Sequence, residues 1–230
     1  MSEKMHPRSC PDQKKIYHCR KNPTLDYRSA GDYALNRLKH ESLRAYTYHN
    51  LAHTLDVHAA AERLSHLEGL TTHETMIVGT AAYFHELGIP GGYPGHEERA
   101  VDIAIEVLPS FGYSESEIGS VCRLIKASNI EIKPCNLAEE IICDADLDYL
   151  GREDYWRVSD LLRQEWSNLG HAMYSDLEWY MLQLDFLTRH HFFTNTAQSM
   201  RNEQKILNIS RIQDRLNDLK NNCDNRLTNT

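Results

Sequence analysis

An all-α protein is what this sequence predicts, on three observations. All seven prolines lie at or before Pro134, none falls between Thr24 and Ile89, and His171 to Thr230 holds neither proline nor glycine. Long stretches free of both favour helix, because proline removes a backbone donor and glycine costs conformational entropy. Within those stretches apolar residues recur at three- and four-residue spacing, and no run alternates apolar and polar residues over a useful strand length.

The elements follow in order. Residues 1–30 are polar and dotted with proline, which reads as a flexible N-terminal arm. Helices are then expected at about 32–47, 50–68, 73–87, 96–111, 115–127, 137–150, 153–168, 174–193 and 195–220. Thr71 with Glu74, and Ser114 with Glu117, match the S/T-x-x-E capping box, and Asn136 is a good N-cap for the helix after it. Residues 221–230 are polar and read as a frayed tail. The expectation is one helical domain over 31–220.

The chain of 230 residues is long enough for a substantial core, and 41% hydrophobic with 25% charged residues is a globular composition. Its 25 Lys and Arg against 33 Asp and Glu leave a net charge of −8. An acidic chain makes a poor general nucleic-acid binder, since phosphate contacts need clustered positive charge. No apolar run approaches the ~20 residues that span a bilayer. The opening MSEKMHPRSCPDQKK has no apolar stretch, so no secretion is expected and the location is expected to be cytoplasmic. Cys10, Cys19, Cys122, Cys135, Cys143 and Cys223 include no C-x-x-C pair, which argues for free thiols over a zinc ribbon.

Histidine is the unusual count, at 13, and four segments combine it with carboxylates. In Tyr48–Val57, His49 and His53 are four apart, about 40° around a helix, so both imidazoles can face one cavity. An apolar helix over Ala81–Gly88 ends in His85 and Glu86, and Gly95–Ala100 opens another helix with His96. Ile141–Gly151 carries Asp144, Asp146 and Asp148 in an apolar setting, and periodicity does not choose among them. Imidazoles and carboxylates from separate helices are how bundles build metal sites in their cores. None of the four His-Glu dipeptides continues as H-E-x-x-H, which excludes a zincin-type protease.

The order H … H-[D/E] … D across a helical chain resembles the HD superfamily of metal-dependent phosphohydrolases, over roughly residues 45–152. The resemblance implies that His53, His85, Glu86 and Asp146 hold a divalent transition metal, with Mn, Fe, Zn and Ni not distinguished. Glu86 departs from the family's usual Asp, a longer arm with the same oxygen donors. Ser128 and Asn129 stand where members with two metals usually bring another histidine. A second, weaker Mg or Mn near His96 is the corresponding expectation.

The opening Y-H-N-x-x-H-x-x-D-V is similar to the signature of class I cyclic-nucleotide phosphodiesterases, which makes His49 the proton donor beside the metal ligand His53. Q-L-D-F-L, with Gln183 and Phe186, is similar to the segment with which those enzymes hold a purine. Arg99 and Lys126, like His96, are expected as second-metal or phosphate contacts, and Arg201 and Lys205 as substrate contacts. The resemblance therefore implies a small phosphoester or nucleotide substrate, hydrolysed by water activated at a metal, with a cyclic nucleotide first. The alternatives are a nucleotide phosphatase or pyrophosphohydrolase of the same superfamily, and a regulatory metal- or nucleotide-binding module whose site has decayed at Glu86.

Overall fold

The computed structural model describes residues 25–41 and 45–227. Among them are nine α-helices and no strand: α1 (Tyr27–Glu41), α2 (Leu51–Leu67), α3 (Thr72–Phe84), α4 (His96–Val107), α5 (Glu115–Ala127), α6 (Leu137–Asp146), α7 (Tyr155–Asn168), α8 (Asp176–Arg189) and α9 (Asn195–Leu227). Short 3₁₀ turns cover Ile89–Gly91, Leu108–Phe111 and Asp148–Gly151.

Helix starts follow their caps. Thr71 and Ser114 form complete capping boxes with Glu74 and Glu117, as does Ser175 with Glu178, and Asn136 accepts from the Glu139 amide. Helix ends differ more from the sequence reading. The helix expected to 111 stops at Val107, where Pro109 tightens the chain into a 3₁₀ turn. The one expected to 150 stops at Asp146, and the one expected to 193 stops at Arg189. The first helix begins at Tyr27, inside the expected arm, whose residues 1–24 lie outside the described ones. At the other end α9 runs through the expected tail to Leu227, with 228–230 outside the described residues.

The core is built where α2 packs on α3 and α6, with α5 closing over α3 and α6. Phe84, Ile125, Ile141, Ile142 and Leu150 are fully buried there. Removal of such side chains from water contributes roughly 2 kcal/mol each. The second half of the chain wraps this unit: α8 packs on α9, and α9 lies along the 148–151 turn. That contact is close. A Cβ on Gly151 would run into the backbone and Cβ of Arg201, so only glycine lets α9 approach.

Three aspartates two residues apart do three different things at the end of α6. Asp144 accepts from the Phe193 and Thr194 amides and the Thr194 hydroxyl, each at 2.8 Å, and thereby ties down the start of α9. Asp148 is buried among arginines, with Arg201 Nε and Nη2 at 2.8 and 2.9 Å and Arg63 Nη2 at 3.1 Å. Asp146 alone faces the histidines.

Candidate metal centre and the cavity beside it

Local structure aims each donor. Asn50 caps α2, its Oδ1 accepting from the Ala52 and His53 amides at 2.9 and 3.3 Å, while its Nδ2 donates to the Thr47 carbonyl. This sets the first turn so that His53 points into the bundle. His85 and Glu86 follow the last turn of α3, and the His85 Nδ1–H donates to the Ala82 carbonyl at 2.8 Å. That bond fixes the tautomer and leaves the His85 Nε2 lone pair turned inward. Asp146 is the last residue of α6.

The four side chains meet. One ligand atom from each of His53, His85, Glu86 and Asp146 lies within 4.8 Å of all the others. His53 Nε2 is 3.1 Å from Asp146 Oδ1 and 3.6 Å from Glu86 Oε1, and His85 Nε2 is 3.2 Å from Glu86 Oε1 and 3.6 Å from Asp146 Oδ1. His53, His85 and Glu86 are buried, and Asp146 is at the rim. His53 Nε2, His85 Nε2 and Glu86 Oε2 are buried atoms without a hydrogen-bond partner among the described residues. Orphaned buried polar atoms are costly and rare, and here they converge on one point. Ligands each ~2.1 Å from a common ion lie about 3–4 Å apart, and the four imidazole–carboxylate pairs stand 3.1 to 3.6 Å apart, so two imidazoles and two carboxylates fit a divalent cation. The donor set suits Mn, Fe, Zn or Ni alike.

Charge at the cluster is arranged as for a cation. Burial disfavours protonated His53, but the nearby carboxylates of Asp146 and Glu86 outweigh it and raise its pKa to about 9. Burial likewise works against ionised Glu86, yet the neighbouring imidazoles of His49, His85 and His53 hold it well below the usual carboxylate range.

His49 stands beside this cluster and outside it, its ring centroid 5.6 Å from that of His53. Its Nδ1 is 2.6 Å from Glu165 Oε1, and the other oxygen of Glu165 accepts from the Tyr48 and His49 amides at 2.7 and 2.9 Å. Tyr93 donates its hydroxyl to Glu165 Oε1 and touches His49 Nδ1 at 2.7 Å. Glu165 is fully buried. Burial would raise its pKa, but the bond and charge of His49, with the bonds from Tyr93 and the Tyr48 amide, keep it low. An ionised Glu165 therefore holds the Nδ1–H of His49 and leaves Nε2 as its working atom. Neither Glu165 nor Tyr93 was expected from sequence. The signal for Glu165 was a carboxylate at the apolar face of α7, one turn after Leu161 and Leu162; Tyr93 carried none.

A cavity of about 490 Å³ opens onto the cluster. His49, His85, Glu86, Asp146 and His96 line it, and so do Gln183 and Phe186 of α8. Gln183 is buried, its Oε1 accepting from Tyr155 at 2.8 Å and Ser159 at 3.2 Å. His96 donates Nδ1–H to the Tyr93 carbonyl at 2.9 Å and remains outside the four-donor cluster.

The four cations expected near substrate are placed elsewhere. Arg99 donates to the carbonyls of Gly88 and Pro94 at 2.9 and 2.8 Å and to that of Gly92, pinning the loop that carries Tyr93. Lys126 is exposed on the last turn of α5, away from the cavity wall. Arg201 is the bidentate partner of Asp148. Lys205 is buried, donates to the His190 carbonyl and lies 5.8 Å from the Phe192 ring centre.

No family model and no curated protein sequence matches the chain. Solved structures do. A predicted HD superfamily hydrolase from an uncultured Thermotogales bacterium superposes with a TM-score of 0.56 at 21% identity, over 82% of this chain and 92% of that one. YpgQ of Bacillus subtilis, solved in complex with ADP, superposes with a TM-score of 0.61 at 19% identity, over 84% and 96%. With helices alone among the described residues and these two likenesses, this chain has the same fold as those two proteins.

Proposed function

We propose that this chain is a metal-dependent phosphohydrolase that cleaves a phosphodiester, with a cyclic nucleotide as the first substrate to try. One observation carries it: buried, partnerless donors of His53, His85 and Glu86 converge with Asp146, and a histidine held by a buried glutamate stands beside them. A divalent ion held by these four residues would supply a lowered water pKa and a polarised phosphoryl oxygen. His49 then acts as general acid. Glu165 anchors Nδ1–H, so a proton on Nε2 faces the cavity and can pass to the leaving oxygen.

The cavity supports a diester over a polyphosphate. Among the described residues lining it are Glu86, Glu97, Glu131 and Asp146 but no lysine or arginine. A triphosphate brings several negative charges that such a wall repels, whereas a diester brings one. A nucleotide is supported by Gln183 and Phe186 on the wall, an amide that can bond a base edge and a ring that can stack on its face. The similarly folded YpgQ was solved with ADP, which keeps a nucleotide phosphatase or pyrophosphohydrolase as the second reading.

The deciding experiment measures metal content by elemental analysis, then hydrolysis with manganese of cyclic AMP, cyclic GMP and a panel of nucleoside mono-, di- and triphosphates. Turnover of a cyclic nucleotide is the expected result. Turnover of triphosphates alone selects the second reading, and metal binding without any turnover leaves a regulatory module.

A further inference from the structure

The cavity does not end at the metal cluster. Past Asp146 and Phe186 a second lobe of about 330 Å³ opens between the segment after α5 and the segment joining α8 to α9. Asp146, Leu147, Phe186 and Asn129 line both lobes, so the carboxylate nearest the rim sits where they meet. Beyond that junction Ile132, Phe193 and Cys143 share the wall with Arg189, His190 and His191. Asn129 has its Oδ1 taken by the Glu131 amide at 2.9 Å, which leaves its Nδ2 as a donor at the junction.

A phosphoryl group bound at the four donors has two ester substituents, and tetrahedral phosphorus points them apart. The substituent that leaves must lie in the first lobe, because His49 is there and Asp146 is the only cluster residue on the wall of the second. In a cyclic diester both ester oxygens belong to one sugar, which needs one lobe. A linear diester has a second arm, and a lobe of a few hundred Å³ whose wall combines apolar and aromatic side chains with a few polar ones is of the kind that buries a ring. We infer that the second lobe binds the non-leaving arm of a linear phosphodiester, so that the chain takes diesters with an aromatic or heterocyclic group on both sides of phosphorus. This rests on the phosphodiester reading above.

Binding of slowly reacting diesters separates the two. Titration calorimetry of the manganese-loaded protein compares diphenyl phosphate with methyl phenyl phosphate, which carry the same charge and differ in one arm. Diphenyl phosphate should bind at least tenfold more tightly. Ile132→Trp, at a half-exposed loop position on the wall of the second lobe, should bring the two within about twofold of each other. Phe193→Ala, on a different element, should weaken diphenyl phosphate at least fivefold and reads the same lobe should Ile132→Trp misfold. Equal affinity of the wild-type protein for both ligands overturns the second-arm site and leaves the phosphodiester reading standing. Failure to bind either ligand overturns both.

Discussion

His49 and His53 are four residues apart but stand in different settings, one on Glu165 and one in the four-donor cluster, which makes substitution at each informative. His53→Ala, His85→Ala and Asp146→Ala should each release the ion. With metal at about 100 times its dissociation constant, that forfeits roughly 3 kcal/mol of stabilisation. Elemental analysis and melting temperature check this, and full occupancy in the His53 or Asp146 variant would remove that residue from the ligand set. His49→Ala should keep metal and melting temperature but lower turnover of a cyclic nucleotide by about 10²–10⁴-fold. The loss should shrink for a p-nitrophenyl ester, whose leaving group departs without a proton. Equal losses on both substrates with a lowered melting temperature would make His49 structural. At this scale the sequence was legible where chemistry and spacing coincide: His53, His85, Glu86 and Asp146 come together as the family resemblance implies. Long cations were not legible. Arg99, Arg201 and Lys205 reach partners set by tertiary packing, namely three loop carbonyls, Asp148 and the His190 carbonyl.

Helix starts were readable because a cap is a local bargain between a side chain and an amide three residues away, as at Thr71, Ser114 and Asn136. Helix ends were not, because distant groups decide them. α8 stops at Arg189 although the sequence His190 to Phe193 is rich in rings and free of proline and glycine, and Asp144 of α6 takes the Phe193 and Thr194 amides. The same joint carries a pH dependence. Burial lowers the pKa of His190, and the charges of Lys205 and His191 lower it further, to about 3. Its Nδ1 has no partner among the described residues. The unfolded chain takes up this proton near 6.5 and the folded one resists until about 3, so stability at this site is lost as pH falls through that window. Urea midpoints of the wild type and of His190→Gln should therefore converge, or cross, between pH 7 and pH 4. A constant gap would show that His190 is not the group concerned.

The whole molecule divides into an inner unit of α2, α3, α5 and α6, which supplies all four donors, and an outer wrap of α7, α8 and α9, which supplies Glu165, Gln183 and Phe186. The site needs both, though the histidine and carboxylate motifs all lie between Tyr48 and Gly151, ahead of the wrapping helices. The five-residue stretch from Asp144 to Asp148 joins them: one carboxylate faces His53 and His85, one holds the start of α9 and one holds Arg201 farther along the same helix. These functions cannot vary separately, since a small rotation at the end of α6 turns all three at once. The Phe193 and Thr194 amides, bonded to Asp144, thereby become built-in reporters of an event two residues from their acceptor. Loading the metal-stripped protein with manganese should slow hydrogen exchange at those two amides, read by mass spectrometry or NMR. Exchange that ignores the ion would mean that occupancy is felt only by the inner helices and that α9 rides on them without sensing the site.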